Sequence, residues 1–188
     1  MSSSRPSART TARSVTPLGA VVEGALAGAA GTLAMDGLLY GRYRRGGGTR
    51  DFLGWELSRD VRTWDDAPAP AQVGRRLVEG LFARRLPDRR AAFVNNVTHA
   101  GYGALNGAVF GVVAGSLPAA RVRHGIPFGV GVWAFGYAVL PAAKLYRPIW
   151  TYDRATLAKD LSAHLVYGLT TASAFTLLRG RRRTRAVR

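Results

Sequence analysis

Between Asn95 and Gly115 the chain reads NNVTHAGYGALNGAVFGVVAG, with glycine at 103, 107, 111 and 115 and with Asn95 and His99 on the same four-residue row. In water this would be a poor helix, because each interior Gly costs about 1 kcal/mol relative to Ala. In lipid the balance differs. No hydrophobic force drives helix against helix there, so association comes from close backbone approach through small residues spaced by four. The stretch therefore predicts a transmembrane helix with a smooth packing ridge, a glycine zipper, whose starting end is polar. A four-residue row drifts by about 40° per step on a straight helix, which suits a right-handed crossing.

Nearly uncharged runs of similar length occupy about 17–40, 91–117, 125–143 and 160–178. A helix rising about 1.5 Å per residue needs about 20 residues to cross a hydrocarbon core of about 30 Å. The expected fold is all-α: a four-helix transmembrane bundle over 17–179, with a basic disordered tail at 1–16 and a second basic tail at 180–188. The first run could open as a secretory signal cleaved near Ala25-Leu26-Ala27, but it continues to Tyr40, so it reads as a span. It carries its own ridge at Ala20, Gly24 and Gly28, and two carboxylates, Glu23 and Asp36. An intramembrane carboxylate is a functional candidate, since charge at depth costs a few kcal/mol or more. The alternative places Asp36 at the interface, paired with Arg42, Arg44 or Arg45.

The 41–90 connection contains a breaker run, Asp65-Asp66-Ala67-Pro68-Ala69-Pro70, and then an amphipathic segment at about 72–86. Val73, Leu77, Val78, Leu81 and Phe82 share one helical face there, and Arg75, Arg76, Arg84 and Arg85 lie mostly on the others. That pattern fits a helix lying on the membrane surface or capping the bundle. Trp55 and Trp64 are candidate interfacial anchors. Lys and Arg total 27 against 11 acids, a net charge of +16. In a soluble chain this would point to nucleic acid. Here the arginines flank apolar runs and no base-stacking platform accompanies them, so the expected partners are the bilayer and anionic lipid, not nucleic acid. The lack of Cys excludes disulfides, thiolate metal sites and a Cys nucleophile.

The second and fourth helices echo each other. His99-Ala100-Gly101-Tyr102-Gly103 matches His164-Leu165-Val166-Tyr167-Gly168, and the same offset sets Asn95 on Asp160. Two duplicated hairpins would produce this, as would chance between two small-residue helices. In a four-helix meander, odd helices end on the face where even ones begin. Asp36, Asn95, Asn96, His99, Asp160 and His164 then fall toward one membrane face, and the expectation is a single polar pocket. Such a cluster could handle protons through imidazole titration. It could hold a divalent metal on His99, His164 and a carboxylate, or a haem between the two histidines, with Gly103 and Gly168 making room. It could also only fix helix register through hydrogen bonds. No metal or cofactor is required by the motif content, and no nucleophile elbow, phosphate-binding loop or zincin helix is present.

The last ninety residues resemble the YagU-like family of bacterial inner-membrane proteins, a domain of unknown function. The features are Thr98-His99 opening a helix, Leu140-Pro141 closing a Gly-rich one, the Pro148/Trp150/Tyr152 loop and the entry Ala163-His164-Leu165-Val166. The resemblance implies a multi-pass inner-membrane protein loosely tied to acid tolerance, with no established biochemical activity, and it supplies no assignment of catalytic residues. The RGRRRTR tail, hard to translocate, favours cytoplasmic termini, against the Arg-rich 41–90 connection. The function expected is non-enzymatic handling of protons, ions or a small solute. A membrane redox or metal protein using both histidines, or an accessory subunit of a membrane complex, remains an alternative. Homo-oligomers are expected through the glycine ridges, which comprise Gly24, Gly28, Gly103, Gly107, Gly111, Gly115 and Gly168.

Overall fold

The computed structural model describes residues 16–57, 61–117 and 120–185. The expected tail at 1–16 lies almost wholly outside these. Among the described residues all regular structure is helical: α1 (Pro17–Arg45), α2 (Phe52–Glu56), α3 (Ala69–Phe82), α4 (Ala91–Ser116), α5 (Gly125–Ala142) and α6 (Arg154–Arg185), with single 3-10 turns before α4, α5 and α6.

The helix ends follow local chemistry. Thr16 caps α1 by accepting from the Gly19 amide at 3.1 Å, and Pro17 follows where an amide hydrogen is not needed. Asp153 caps α6 through the Thr156 amide and hydroxyl at 2.9 and 2.6 Å, so α6 starts well before the expected residue 160. It also runs on to Arg185, so the basic segment from 180 extends the helix rather than forming a separate tail. α3 stops at Ala83, whose φ of 49° breaks the helical run.

Among the described residues three helices are long and apolar enough to cross a membrane: Pro17–Arg45, Val122–Ala142 and Arg154–Gly180. α4 has the length, at 26 residues. Its glycines, together with Asn95, Asn96, Thr98, His99 and Asn106, hold its hydropathy below theirs. The four-span expectation is therefore approximate: three apolar helices, and a fourth, more polar one packed along α1.

α1 is the central helix. It lies along both α4 and α6, whose backbones stay apart and which meet through side chains, and α5 packs on α6. The α1–α4 seam is made of backbone. A methyl group built on Gly24 would overlap the Gly107 carbonyl oxygen and lie 2.8 Å from Gly111 Cα. One on Gly28 would meet Gly103 and Gly107 in the same way. The two rows run antiparallel, Ala20 opposite Gly115, Gly24 opposite Gly111, Gly28 opposite Gly107 and Thr32 opposite Gly103. A second seam joins Gly125 and Gly129 of α5 to Gly168 and the His164 carbonyl of α6. These ridges are thus occupied within one chain. Phe110, Phe128 and Phe175 fill the space between α4, α5 and α6, with ring centroids 4.8 and 5.7 Å from Phe110.

Two surface expectations change. Trp64 is no interfacial anchor: it is buried against Ala71 and Ala91, and its indole donates to the Leu86 carbonyl at 3.0 Å. α3 packs on α4 through Ala71 and Gly74, over Val94 and Thr98, and leaves Leu77, Leu81 and Phe82 exposed. Small residues win that contact because they let the two backbones approach.

The seam makes a sharp prediction. Gly107→Ala should destabilise the fold by about 1–3 kcal/mol, since the added methyl forces two backbones apart. Gly101→Ala on the same helix meets nothing within 4 Å and should be neutral or slightly stabilising. Detergent-denaturation curves followed by far-UV circular dichroism compare the two; equal effects would refute a backbone-to-backbone seam.

Candidate functional site

Asp36 is one further step of four along the α1 row, after Thr32, and His99 is one further step along the opposing α4 row, before Gly103. The seam therefore brings them face to face. Asp36 Oδ1 lies 3.0 Å from His99 Nε2. The Asp36 side chain is 5% exposed and that of His99 31%, so the acid is the inner member and the imidazole the outer one. Burying an unpaired carboxylate costs several kcal/mol, and the imidazole offsets that by hydrogen bonding to it. The second carboxylate oxygen, Oδ2, is buried without a hydrogen bond. Among the described residues the ion-pair partner of Asp36 is His99 and not Arg42, Arg44 or Arg45: Arg42 reaches α6, and Arg44 donates to the Thr49 and Arg50 carbonyls.

Glu56 is a member that the sequence reading missed. It ends the five-residue α2, which Asp51 caps through the Gly54 amide at 2.6 Å. Tyr40 on α1 packs edge-on against Phe52 at 5.3 Å and against Trp55 at 5.6 Å, and its hydroxyl donates to the Arg50 carbonyl at 3.0 Å. This clamp holds α2 over the end of α1. Burial raises the Glu56 pKa above 4.5, the negative charge of Asp36 raises it further, and His99 opposes both. Glu56, Asp36 and His99 thus form one electrostatic group. No periodic signal marks a lone acid in a short loop helix, so nothing in the sequence selected it.

The expected single pocket is divided. Asp160 and His164 sit at the same end of the bundle, where Arg42 of α1 donates to the Lys159 carbonyl and to Ser162 Oγ. But His164 Nδ1 turns to its own helix, 2.9 Å from the Asp160 carbonyl and 3.5 Å from Asp160 Oδ1. Among the described residues no hydrogen bond or ion pair joins this pair to Asp36–His99. Asn95 is buried on α4 and donates to Asn96 Oδ1 at 3.2 Å. The metal alternative needed both histidines and a carboxylate together, and among the described residues no three such groups converge. His99 Nε2, the nitrogen a haem iron would need, is committed to Asp36.

The echo between α4 and α6 has a structural counterpart in part. Gly103 and Gly168 both sit in backbone seams. The tyrosine that precedes the glycine in α6, Tyr167, is buried and donates to the Gly103 carbonyl at 2.7 Å, while Tyr102 stays exposed. Comparison of the chain with protein families, with curated proteins and with solved structures finds no match.

Glu56 gives this site a pH signature. Its folded-state pKa lies above the unfolded value, so the native state holds that proton more tightly. Its contribution to stability is full below about 4.5 and is lost as pH rises through the raised pKa. Glu56→Gln should flatten this decline. Thermal unfolding of wild type and variant in detergent across that window checks it, and parallel profiles would refute it.

Proposed function

We infer that this chain is a non-enzymatic, multi-pass membrane protein that binds and releases a proton at the Asp36–His99 pair. The observation that carries this reading is the 3.0 Å contact between a buried carboxylate and a partly exposed imidazole, with Glu56 acting on both. Imidazole is the side chain that titrates near neutrality, and a neighbouring carboxylate is the usual way to hold its proton. The pair lies at the bundle end where α1 finishes and α4 starts, so protons reach it from one membrane face. Kinship with the YagU-like proteins, proposed from the motifs in α4, α5 and α6, agrees in kind through their loose link to acid tolerance.

The membrane is the plasma, or inner, membrane in this reading, with both termini cytoplasmic. Leu77, Leu81 and Phe82 stand exposed on α3 beside Arg76, Arg84 and Arg85, which supports α3 lying in the headgroup layer of an anionic leaflet.

The test is infrared difference spectroscopy of the reconstituted protein between about pH 7 and pH 5, the range in which imidazole titrates. A pH-dependent imidazole signal that His99→Gln removes is expected, with a coupled change in the carboxylate stretch that Asp36→Asn removes. Difference spectra unchanged in both variants would end the proton reading.

A further inference from the structure

On the other flank of α1, at the same bundle end, the last turns of α1, the end of α5 and the first turns of α6 border an open cleft of about 450 Å³. Its walls carry two cations, Arg42 and Lys159, one carboxylate, Asp160, and the phenols of Tyr137, Tyr146 and Tyr152. Arg42 is fixed by its bonds to the Lys159 carbonyl and Ser162 Oγ, at 2.8 and 2.7 Å. Among the described residues neither Arg42 nor Lys159 forms an ion pair with an acid. Two like charges in one cleft, one of them held rigid, call for an anion, and a guanidinium beside an ammonium suits a phosphate.

The opposite wall has other chemistry. The three tyrosine rings lie 5.4, 5.4 and 6.4 Å apart, too close to enclose a guest, and are inclined at 57°, 86° and 58° to one another, so they form one aromatic face of mixed ring planes and edges. Arg147 already sits 5.0 Å over the Tyr152 ring, which shows that this face accepts a cation. Asp160, whose Oδ1 lies 3.5 Å from His164 Nδ1, adds a carboxylate beside it. Burial, then Asp160 and Tyr152, raise the Tyr146 pKa, so its hydroxyl stays a neutral donor. Leu39 supplies an apolar edge. The cleft sits where three apolar helices end or begin, the depth of lipid headgroups.

We propose that this cleft binds the headgroup of a zwitterionic phospholipid, with its phosphate between Arg42 and Lys159 and its ammonium against Asp160 and the tyrosine face. An anionic headgroup such as phosphatidylglycerol would leave Asp160 facing no cation, and a simple ammonium ligand would leave both basic groups unmatched. The proposal rests on the membrane-spanning character of α1, α5 and α6 and is independent of the proton chemistry at Asp36.

Native mass spectrometry of the full chain in detergent tests it, with phosphatidylethanolamine, phosphatidylglycerol, soluble glycerophosphoethanolamine and inorganic phosphate as probes. Phosphatidylethanolamine should be retained about tenfold better than phosphatidylglycerol, a gap one charged contact can supply. Lys159→Gln should weaken retention of both lipids about tenfold. Asp160→Asn should erase the preference between them and leave phosphate-dependent retention intact. Arg42 also ties α1 to α6, so the two other variants carry the test, with circular dichroism confirming that each is folded. Equal retention of both lipids by wild type, or indifference to both substitutions, overturns the proposal. Displacement of lipid by equimolar inorganic phosphate overturns it in favour of a soluble anion, and displacement by equimolar glycerophosphoethanolamine overturns it in favour of a soluble zwitterion.

Discussion

Where Gly24 and Gly28 meet Gly103, Gly107 and Gly111, α1 and α4 touch through backbone atoms, and this contact governs what the polar residues can do. Lipid offers no hydrophobic gain to such a contact, so its stability comes from dispersion and close dipolar packing, both of which fall steeply with distance. The α1 row ends in residues that are not glycine: Ala20 against Gly115 at one end and Thr32 against Gly103 at the other. A slip of four residues toward the seam would drive the Asp36 carboxylate among glycines, away from the imidazole that offsets its burial. Register and ion pairing therefore stabilise each other.

Much of this was legible in the sequence because it depends on period. Uncharged length gives the helices, and glycine every fourth residue gives the ridges. Asp36 and His99 sit at the polar ends of two such rows, which is why their meeting could be anticipated. Other features depend on distance in space, with no period to mark them. Glu56 reaches the pair only because Tyr40 clamps a five-residue helix over α1. The six expected pocket residues separate because α1 takes the middle position, a choice that helix count and loop length do not make. α3 reads as amphipathic, yet it docks through Ala71 and Gly74 and not through its leucines, since a narrow contact on α4 rewards close approach over apolar area.

The two histidine helices resolve the same local problem differently. In each, a glycine four residues past the histidine lies in a backbone seam. In α4 the facing residue across the seam is an acid, and the imidazole bridges to it. In α6 the facing element is Gly129, pressed on the His164 carbonyl, and α5 offers no acid. The acid is instead Asp160 on the same helix, so His164 folds back and the inter-helix bond is made by Tyr167. Similar sequence thus yields one cross-helix pair and one intrahelical pair, and only the first spans a helix seam.

That difference bears on direction. Beneath Asp36 the α1–α4 seam continues as Thr32, Gly28 and Gly24 against three glycines, with no room for a methyl group and therefore none for a water molecule. A proton at Asp36–His99 has no file of waters along this seam toward the other membrane face, where the next α1 carboxylate, buried Glu23, lies. If the pair exchanges a proton as proposed, this packing leaves it in contact with one side only, which would suit holding a proton better than conducting it. A conducting path would need the glycine rows to part, and the contacts that set the register are the ones that would have to break.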